Sequence, residues 1–337
     1  MSRLQRAGRR TNLAVLVLLA LALVTGVIAF GIGTTNPARA NALLHAAAGL
    51  GLLALVPWKQ AVVRRGLRGR RRSGHVAGLA LLVFVPLCIA AGALHSFGYG
   101  GLLAMQIHVG AAVAAVPFAV WHAVARWQRP RRADLSRRSA LRAAAVAAAA
   151  AGAVLATEGV AVVLRLPGRD RRETGSHEVG SGKPARMPVT QWFTDRVPTV
   201  DTAAWRLEVV TPSGRRRLTV AELSTVDSVT AVLDCTGGWY ASQEWRGVWL
   251  DRLLPDLDPG QSIVVTSVTG YRRRLPARDA PRLLLATHVG GAPLSPGHGA
   301  PVRLVAPGRR GFWWVKWVVR VEVADEPWWW QVPFPLH

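Results

Sequence analysis

The chain has 337 residues, of which 50% are hydrophobic, and carries 42 Lys and Arg against 19 Asp and Glu, a formal net charge of +23. With a mean hydropathy of +0.22, that charge does not fit one water-soluble domain, and because apolar runs and arginine clusters alternate in sequence, the pattern points to a membrane half and a soluble half. Most of the excess charge sits beside the apolar runs, so the basic balance excludes nucleic acid as the implied partner and points to membrane lipid instead.

Five stretches are apolar and long enough to cross about 30 Å of hydrocarbon as helices: 12–33, 41–58, 76–95, 103–125 and 143–164. Arg3, Arg6, Arg9 and Arg10 precede the first. Lys59, Arg64, Arg65, Arg68, Arg70, Arg71 and Arg72 follow the second, and seven arginines lie between Arg126 and Arg142 against one acid, Asp134. The alternate loops, 34–40 and 96–102, carry only Arg39. Cations beside short loops stay on the cytoplasmic side, so the N-terminus is expected inside a cell membrane and the part after the fifth span outside it. The expected architecture is an all-α transmembrane bundle of five helices over 1–165, followed by an α+β domain over 166–337.

Histidines recur in the spans. His45 and His108 fall about 6–7 Å below the outer face at 1.5 Å per residue, and two imidazoles at one depth on neighbouring helices are able to hold a haem iron axially. His122 lies fourteen residues beyond His108, on nearly the same helical face, with His75 as its potential partner at the inner side. The layout resembles that of two-haem, four-helix membrane cytochromes b, which implies haem b and a membrane quinone. The competing reading is that His75, His95 and His122 are interfacial polar residues at no great cost. Cys88, inside the third span, reads as a small packing residue.

Before the fifth span, Leu135-Ser136-Arg137-Arg138-Ser139-Ala140-Leu141-Arg142 resembles a twin-arginine export signal placed internally. The alternative is further positive-inside charge. The export reading implies a domain that crosses the membrane folded, with its cofactor already loaded.

In the soluble part, strand-like runs alternate with turns. Strands are expected at Trp205–Val210, Arg217–Val220, Val229–Asp234, Ile263–Val268, Val302–Ala306 and Trp313–Val323, with short helices at Ala221–Ser224 and Leu250–Leu254. The domain's one cysteine stands in Asp234-Cys235-Thr236-Gly237-Gly238-Trp239. A lone thiol forms no internal disulfide, so by chemistry Cys235 is a nucleophile, a redox thiol or a metal ligand. Trp239, Tyr240 and Arg246 are near it in sequence and are candidates to line a substrate pocket.

The succession Cys-x-Gly-Gly-Trp, Trp-x-Gly-Val-x-Leu-x-x-Leu-Leu, Thr269-Gly270-Tyr271, Gly299-Ala300-Pro301-Val302-Arg303-Leu304-Val305 and Val315-Lys316-Trp317 resembles the molybdopterin-binding oxidoreductase domain of the sulfite oxidase family. The resemblance covers about residues 173–323 and is closest to the bacterial branch that includes the methionine sulfoxide reductase catalytic subunit. It implies a molybdenum-molybdopterin cofactor with Cys235 as the molybdenum-ligating thiolate, a soft ligand suited to that metal. It also implies cofactor contacts at Arg303, whose guanidinium fork suits phosphate, and at Trp314, Val315 and Lys316. His298 stands where the family often has Asn. Thr174, His177 and Glu178 occupy a segment that contacts the pterin, with His177 in place of the usual aromatic. Ser267 is a further candidate. The family's C-terminal dimerisation domain is missing, so dimerisation through it is not expected.

The implied activity is oxygen-atom or two-electron transfer on a small or protein-bound oxyanion, S-oxide or N-oxide. The readings it competes with are a cofactor-free membrane scaffold that keeps the fold for binding and a metal-free thiol-redox protein, the latter weakened by the absence of a second cysteine in the domain. The run Trp328-Trp329-Trp330 reads as an interfacial segment, since indoles favour the membrane boundary.

Overall fold

A computed structural model describes residues 8–32, 36–67, 74–126, 137–191, 195–223 and 226–332. By internal contacts the chain divides into two compact units, with the boundary at Gly175 and Ser176.

The first unit is helical: α1 (Arg9–Gly31), α2 (Asn36–Ala54), α3 (Val56–Leu67), α4 (His75–Ser96), α5 (Gly101–Ala125) and α6 (Arg137–Val163). In four of them, α1, α4, α5 and the stretch Ala143–Val163 of α6, the most apolar window meets the length and hydropathy of a membrane span. Only 6% to 17% of each window is buried inside the protein, so these helices present apolar side chains on nearly every face, as spans in lipid do. The expected second span, 41–58, takes a different form. Pro37–Ala54 and Val56–Arg65 are two helices bent by 48°, and the break falls at Leu55 because Pro57, second residue of the next helix, has no N–H to donate to the carbonyl four residues back. Among the described residues the count is therefore four helices long and apolar enough to cross a membrane, or five with the bent pair as one. Among the topology charges, Arg3, Arg6, Arg68, Arg70, Arg71, Arg72, Arg129, Arg131 and Arg132 lie outside the described residues, as do Leu135 and Ser136 of the export-signal pattern.

Hydropathy places a boundary at 165/166, but the first unit continues to Gly175 because the segment after α6 is bonded back to the α4–α5 turn. Gly168 N–H donates to Phe97 O at 3.1 Å, and a Cβ on Gly98 would lie 2.5 Å from Gly168 N. Backbone meets backbone here, which only glycine permits.

The second unit holds two sheets. One orders β1 (His177–Glu178), β5 (Trp239–Trp249), β8 (Leu284–Val289) and β10 (Arg303–Val305), with β4 (Asp227–Asp234) also on β5 and β9 (Ala292–Pro293) also on β8. The other orders β3 (Gly214–Leu218), β2 (Leu207–Thr211), β11 (Val318–Ala324), β6 (Ser262–Ser267) and β7 (Arg272–Pro276). A single helical turn, α7 (Leu250–Leu253), follows β5. The fold of this unit is mixed, as expected, with strand ends shifted by one or a few residues.

Three long strands, β5, β7 and β8, are absent from the sequence expectation. In β5 the inward faces alternate through Trp239, Ala241, Gln243 and Trp245, a two-residue period hidden by polar residues that pair inside the domain. The motif Trp245-Arg246-Gly247 has a steric cause: register shifts between Arg246 and Gly247 where β5 meets β8, and a Cβ on Gly247 would lie 2.8 Å from the Ala286 Cα. Trp313–Val323 is not one strand. Gly311–Trp313 forms a 3-10 turn, Trp317 has a φ of 50°, and β11 starts at Val318. Burial of Phe312, Trp313, Trp314 and Trp317 outweighs their strand propensity.

Candidate functional site

β4 and β5 form a hairpin whose last pair is Asp234 with Tyr240, and the turn between them carries Cys235. Cys235 N–H donates to Trp239 O at 2.8 Å and Gly238 N–H to Cys235 O at 3.2 Å, with Gly238 at φ 91°. The sulfur itself accepts from Gly237 N–H at 3.3 Å and shares a hydrogen bond with the Thr190 hydroxyl at 3.2 Å.

Behind the turn lies a buried ionic support. Asp234 and Arg310, with side chains 5% and 3% exposed, form an ion pair. The Ser176 hydroxyl donates to Asp234 Oδ1 at 2.7 Å and reaches Cys235 O at 3.3 Å. A Cβ on Gly311 would lie 3.0 Å from Cys235 Cα, so the Arg310-Gly311 backbone presses directly on the turn. Buried pairs of this kind hold geometry more than they add stability.

In front of the sulfur is a cavity of about 50 Å³ lined by Pro188, Thr190, Leu233, Cys235, Trp239, His298, Arg303, Gly311, Trp314 and Lys316. Its walls carry two cations and no carboxylate. Arg303 is 1% exposed; it donates to His298 O at 3.1 Å and Trp314 O at 3.5 Å, and its guanidinium lies 5.0 Å from the centre of the Trp245 ring. Lys316 Nζ donates to Thr190 O at 2.8 Å and Gly297 O at 2.7 Å. Burial, and then the Arg303 charge, push the Lys316 amine down to about 7, against the smaller opposing pull of Cys235 and Asp195. Arg303 is likewise pushed down by burial. Two buried donors facing this region, Arg303 Nε and Trp239 Nε1, have no hydrogen-bond partner.

Of the residues expected to form the site, the fold brings Cys235, His298, Arg303, Trp314 and Lys316 to one cavity. His298 contributes its backbone carbonyl, because both ring nitrogens are engaged, Nδ1 with Ser295 Oγ at 2.9 Å and Nε2 with Met187 O at 3.0 Å; burial keeps the ring's affinity for a second proton low. Val315 is buried and donates no side-chain contact, its backbone oxygen accepting from Leu304 N–H at 2.7 Å. Ser267 does not reach the cavity, since its hydroxyl lies in the tight turn with Thr269. His177 and Glu178 run parallel to Trp239 and Tyr240 in β1. There the exposed Glu178 carboxylate accepts from Ser181 N–H at 2.6 Å, which holds it below the usual carboxylate range. Thr174 is buried in the helical unit's final segment. Trp239 lines the cavity, whereas Tyr240 and Arg246 do not. Pro188, Thr190, Leu233 and Gly311 were not legible in the sequence. They belong to no motif, and only tertiary folding carries the 187–191 segment to the sulfur.

The helical unit holds a second cluster. His45 and His108 approach with ring centroids 5.9 Å apart and planes at 88°. His45 Nδ1 lies 3.0 Å from Ala22 O and His108 Nδ1 2.8 Å from Cys88 O, so each ring's Nδ1 is tied to backbone. Gly26 and Gly92 lie against these rings, where a Cβ would be 3.2 Å from His45 Cε1 and 2.7 Å from His108 Nδ1. His122 Nδ1 lies 3.2 Å from Gly74 O, beside His75. His95 is 3% exposed and lies 2.6 Å from Gly175 O through Nε2, a contact within the helical unit.

The crowded cations of the cavity generate a pH dependence. Lys316 has a folded value near 7, below its unfolded value near 10.4, so between the two the unfolded chain holds the extra proton and stability rises with pH. In cofactor-free protein, the thermal midpoint of the second unit is expected to rise from pH 7 to pH 9, and Lys316→Met is expected to raise the midpoint at pH 7 and flatten that rise. Scanning calorimetry of both proteins checks this, and equal slopes would contradict it.

Residues 194–330 match the model of the oxidoreductase molybdopterin binding domain. Sulfite oxidase of Gallus gallus is 32% identical over a region covering 39% of this chain and 37% of that protein. The NADPH nitrate reductase of Mycosarcoma maydis is 51% identical over 43 residues, 13% of this chain and 4% of that protein. The sulfane dehydrogenase SoxCD from Paracoccus pantotrophus, a solved structure, aligns with a TM-score of 0.36 and 24% identity over 39% of this chain and 40% of that one. The chain thus spans well under half the length of the curated relatives it matches. Over its C-terminal part the chain is similar to the molybdopterin-binding oxidoreductase domain, with a sulfite oxidase among the relatives it resembles.

Proposed function

We propose that the chain is a membrane-anchored molybdenum oxidoreductase that transfers an oxygen atom or two electrons on a small or protein-bound oxyanion, S-oxide or N-oxide. The observation that carries this reading is the cavity itself: its walls hold a thiol, two basic side chains and two unpartnered N–H donors, and no carboxylate. Buried cations without an anion are costly, so the donor set fits an anionic group bearing a sulfur-seeking metal. The volume admits the metal end of such a group. When bound, the molybdenum cofactor supplies a metal able to exchange electron pairs and oxygen with a substrate.

The chain's own residues have separable tasks. Cys235 offers the sulfur, and Gly237 N–H with the Thr190 hydroxyl is placed to stabilise its thiolate form. Arg303 and Lys316 offset negative charge, with Arg303 Nε and Trp239 Nε1 as donors still to be satisfied. The Asp234–Arg310 pair and Ser176 keep the turn from moving.

In the helical unit, the same reading places haem b between His45 and His108. Support comes from the Nδ1 atoms being tied to carbonyls, which leaves each Nε2 as the ligand nitrogen in the arrangement metal-bound imidazoles use. Gly26 and Gly92 admit the imidazoles themselves, since a Cβ at either would press on the ring beside it. A quinone in the membrane is the electron partner in this account, and the clustered arginines support an extracytoplasmic C-terminal domain exported through the twin-arginine pattern.

Two measurements test these assignments. Full-length protein from a cofactor-competent host is expected to hold about one molybdenum per chain by mass spectrometry, with Cys235→Ser falling at least several-fold in turnover; less than a tenth of an equivalent in the wild type would overturn the reading. A reduced-minus-oxidised spectrum from haem-replete cells is expected to show a b-type haem that disappears in His45→Ala and in His108→Ala. A flat wild-type spectrum would remove the haem.

A further inference from the structure

Trp329 and Trp330 are 61% and 69% exposed, and Val332 beside them is 56% exposed, in a domain whose other indoles lie mostly in its core. They are not on a loose tail. The Gln331 side-chain amide donates to Arg274 O at 2.7 Å and Trp328 O at 2.6 Å, and its oxygen accepts from Arg274 N–H at 3.0 Å. Arg273 donates to Val332 O at 3.1 Å and Ser262 Oγ to Glu326 O at 2.7 Å. Beneath them runs a ladder of cations and rings: Arg273 is 4.3 Å from the centre of Trp313, and Arg309 is 4.7 Å from Trp313 and 5.9 Å from Trp328.

Covering the edge strand β7 accounts for Gln331 and for Trp328. It does not account for two neighbouring indoles, 5.9 Å apart, held outward on a fixed segment. Arginine accompanies them: Arg272 on β7 is exposed, and Arg274, on the same face, lies 3.4 Å from Trp330 O through Nη1 and pairs with Glu326 at 3.4 Å through Nη2. Indoles beside guanidinium groups match the lipid interface, where rings settle at the level of the headgroups and arginines meet phosphate. The chain's own apolar helices bring lipid within reach, because the helical unit runs to Gly175 and the second unit begins at the next residue, Ser176.

We infer that the corner formed by Trp329, Trp330 and Val332, with Arg272 and Arg274, is a docking surface for the headgroup region of a phospholipid bilayer. It orients the catalytic domain on the membrane that anchors it. The inference rests on the membrane-anchored reading, and the two fail differently: a chain that does not insert fails to co-elute with lipid nanodiscs, whereas a chain that inserts without docking co-elutes but keeps this corner in water.

The test compares full-length wild type with the Trp329→Phe, Trp330→Phe double variant in nanodiscs of ordinary and of acyl-chain-brominated phosphatidylcholine and phosphatidylglycerol. The difference between the two proteins isolates the fluorescence of the two exposed indoles. Docking predicts that this difference falls by about half or more in brominated lipid. A difference of equal intensity in both lipids overturns the inference, including the case in which native mass spectrometry shows that a second copy or a protein partner covers the corner.

Discussion

The ion pair between Asp234 and Arg310 is the constraint on which the rest of the site depends. It joins the residue before the cysteine to the residue before Gly311, on two segments far apart in sequence, with both side chains almost wholly buried. Breaking one partner of such a pair leaves a bare charge in the interior, typically at a cost of about 3–5 kcal/mol. With Ser176 as a third member, the pair fixes the end of β4, and the sulfur of Cys235 then faces the cavity instead of solvent.

From that anchor the other features follow in order. The β4–β5 turn sets the sulfur, β10 delivers Arg303, and the irregular stretch after the Gly311–Trp313 turn delivers Lys316. Trp245 and Trp314 wall in the guanidinium of Arg303 and exclude water from it, which strengthens every electrostatic contact the cation makes. The domain therefore concentrates positive charge in a dry cleft before any partner binds, a form of preorganisation suited to an anionic cofactor.

How much of this was legible in the sequence depends on the range of the forces involved. Cys235 stands out as the one cysteine of its domain, whereas Arg303 and Lys316 are singled out by the resemblance of the motifs around them to a known family, not by spacing alone. The role of Gly247 likewise leaves a readable trace, since a close approach of β8 admits no side chain there. Thr190 and Arg310 left none: each acts through a partner more than forty residues away, and nothing beside them in sequence announces it. β5 escaped because Gln243 and Glu244 interrupt its apolar alternation, and the run Trp313–Trp317 misled because aromatic residues that favour strands were placed by burial into a turn. In the first unit, composition marked the long apolar helices, but the bend at Leu55 followed from a single proline.

The central claim is that the Cys235 sulfur is a direct ligand of the metal. X-ray absorption at the molybdenum edge, on full-length protein purified with its cofactor, measures the number of sulfur atoms bound to the metal. The account predicts that wild type has one more sulfur neighbour than Cys235→Ser, with the remaining sulfurs unchanged. An equal sulfur count in the two proteins, at equal metal content, would contradict it.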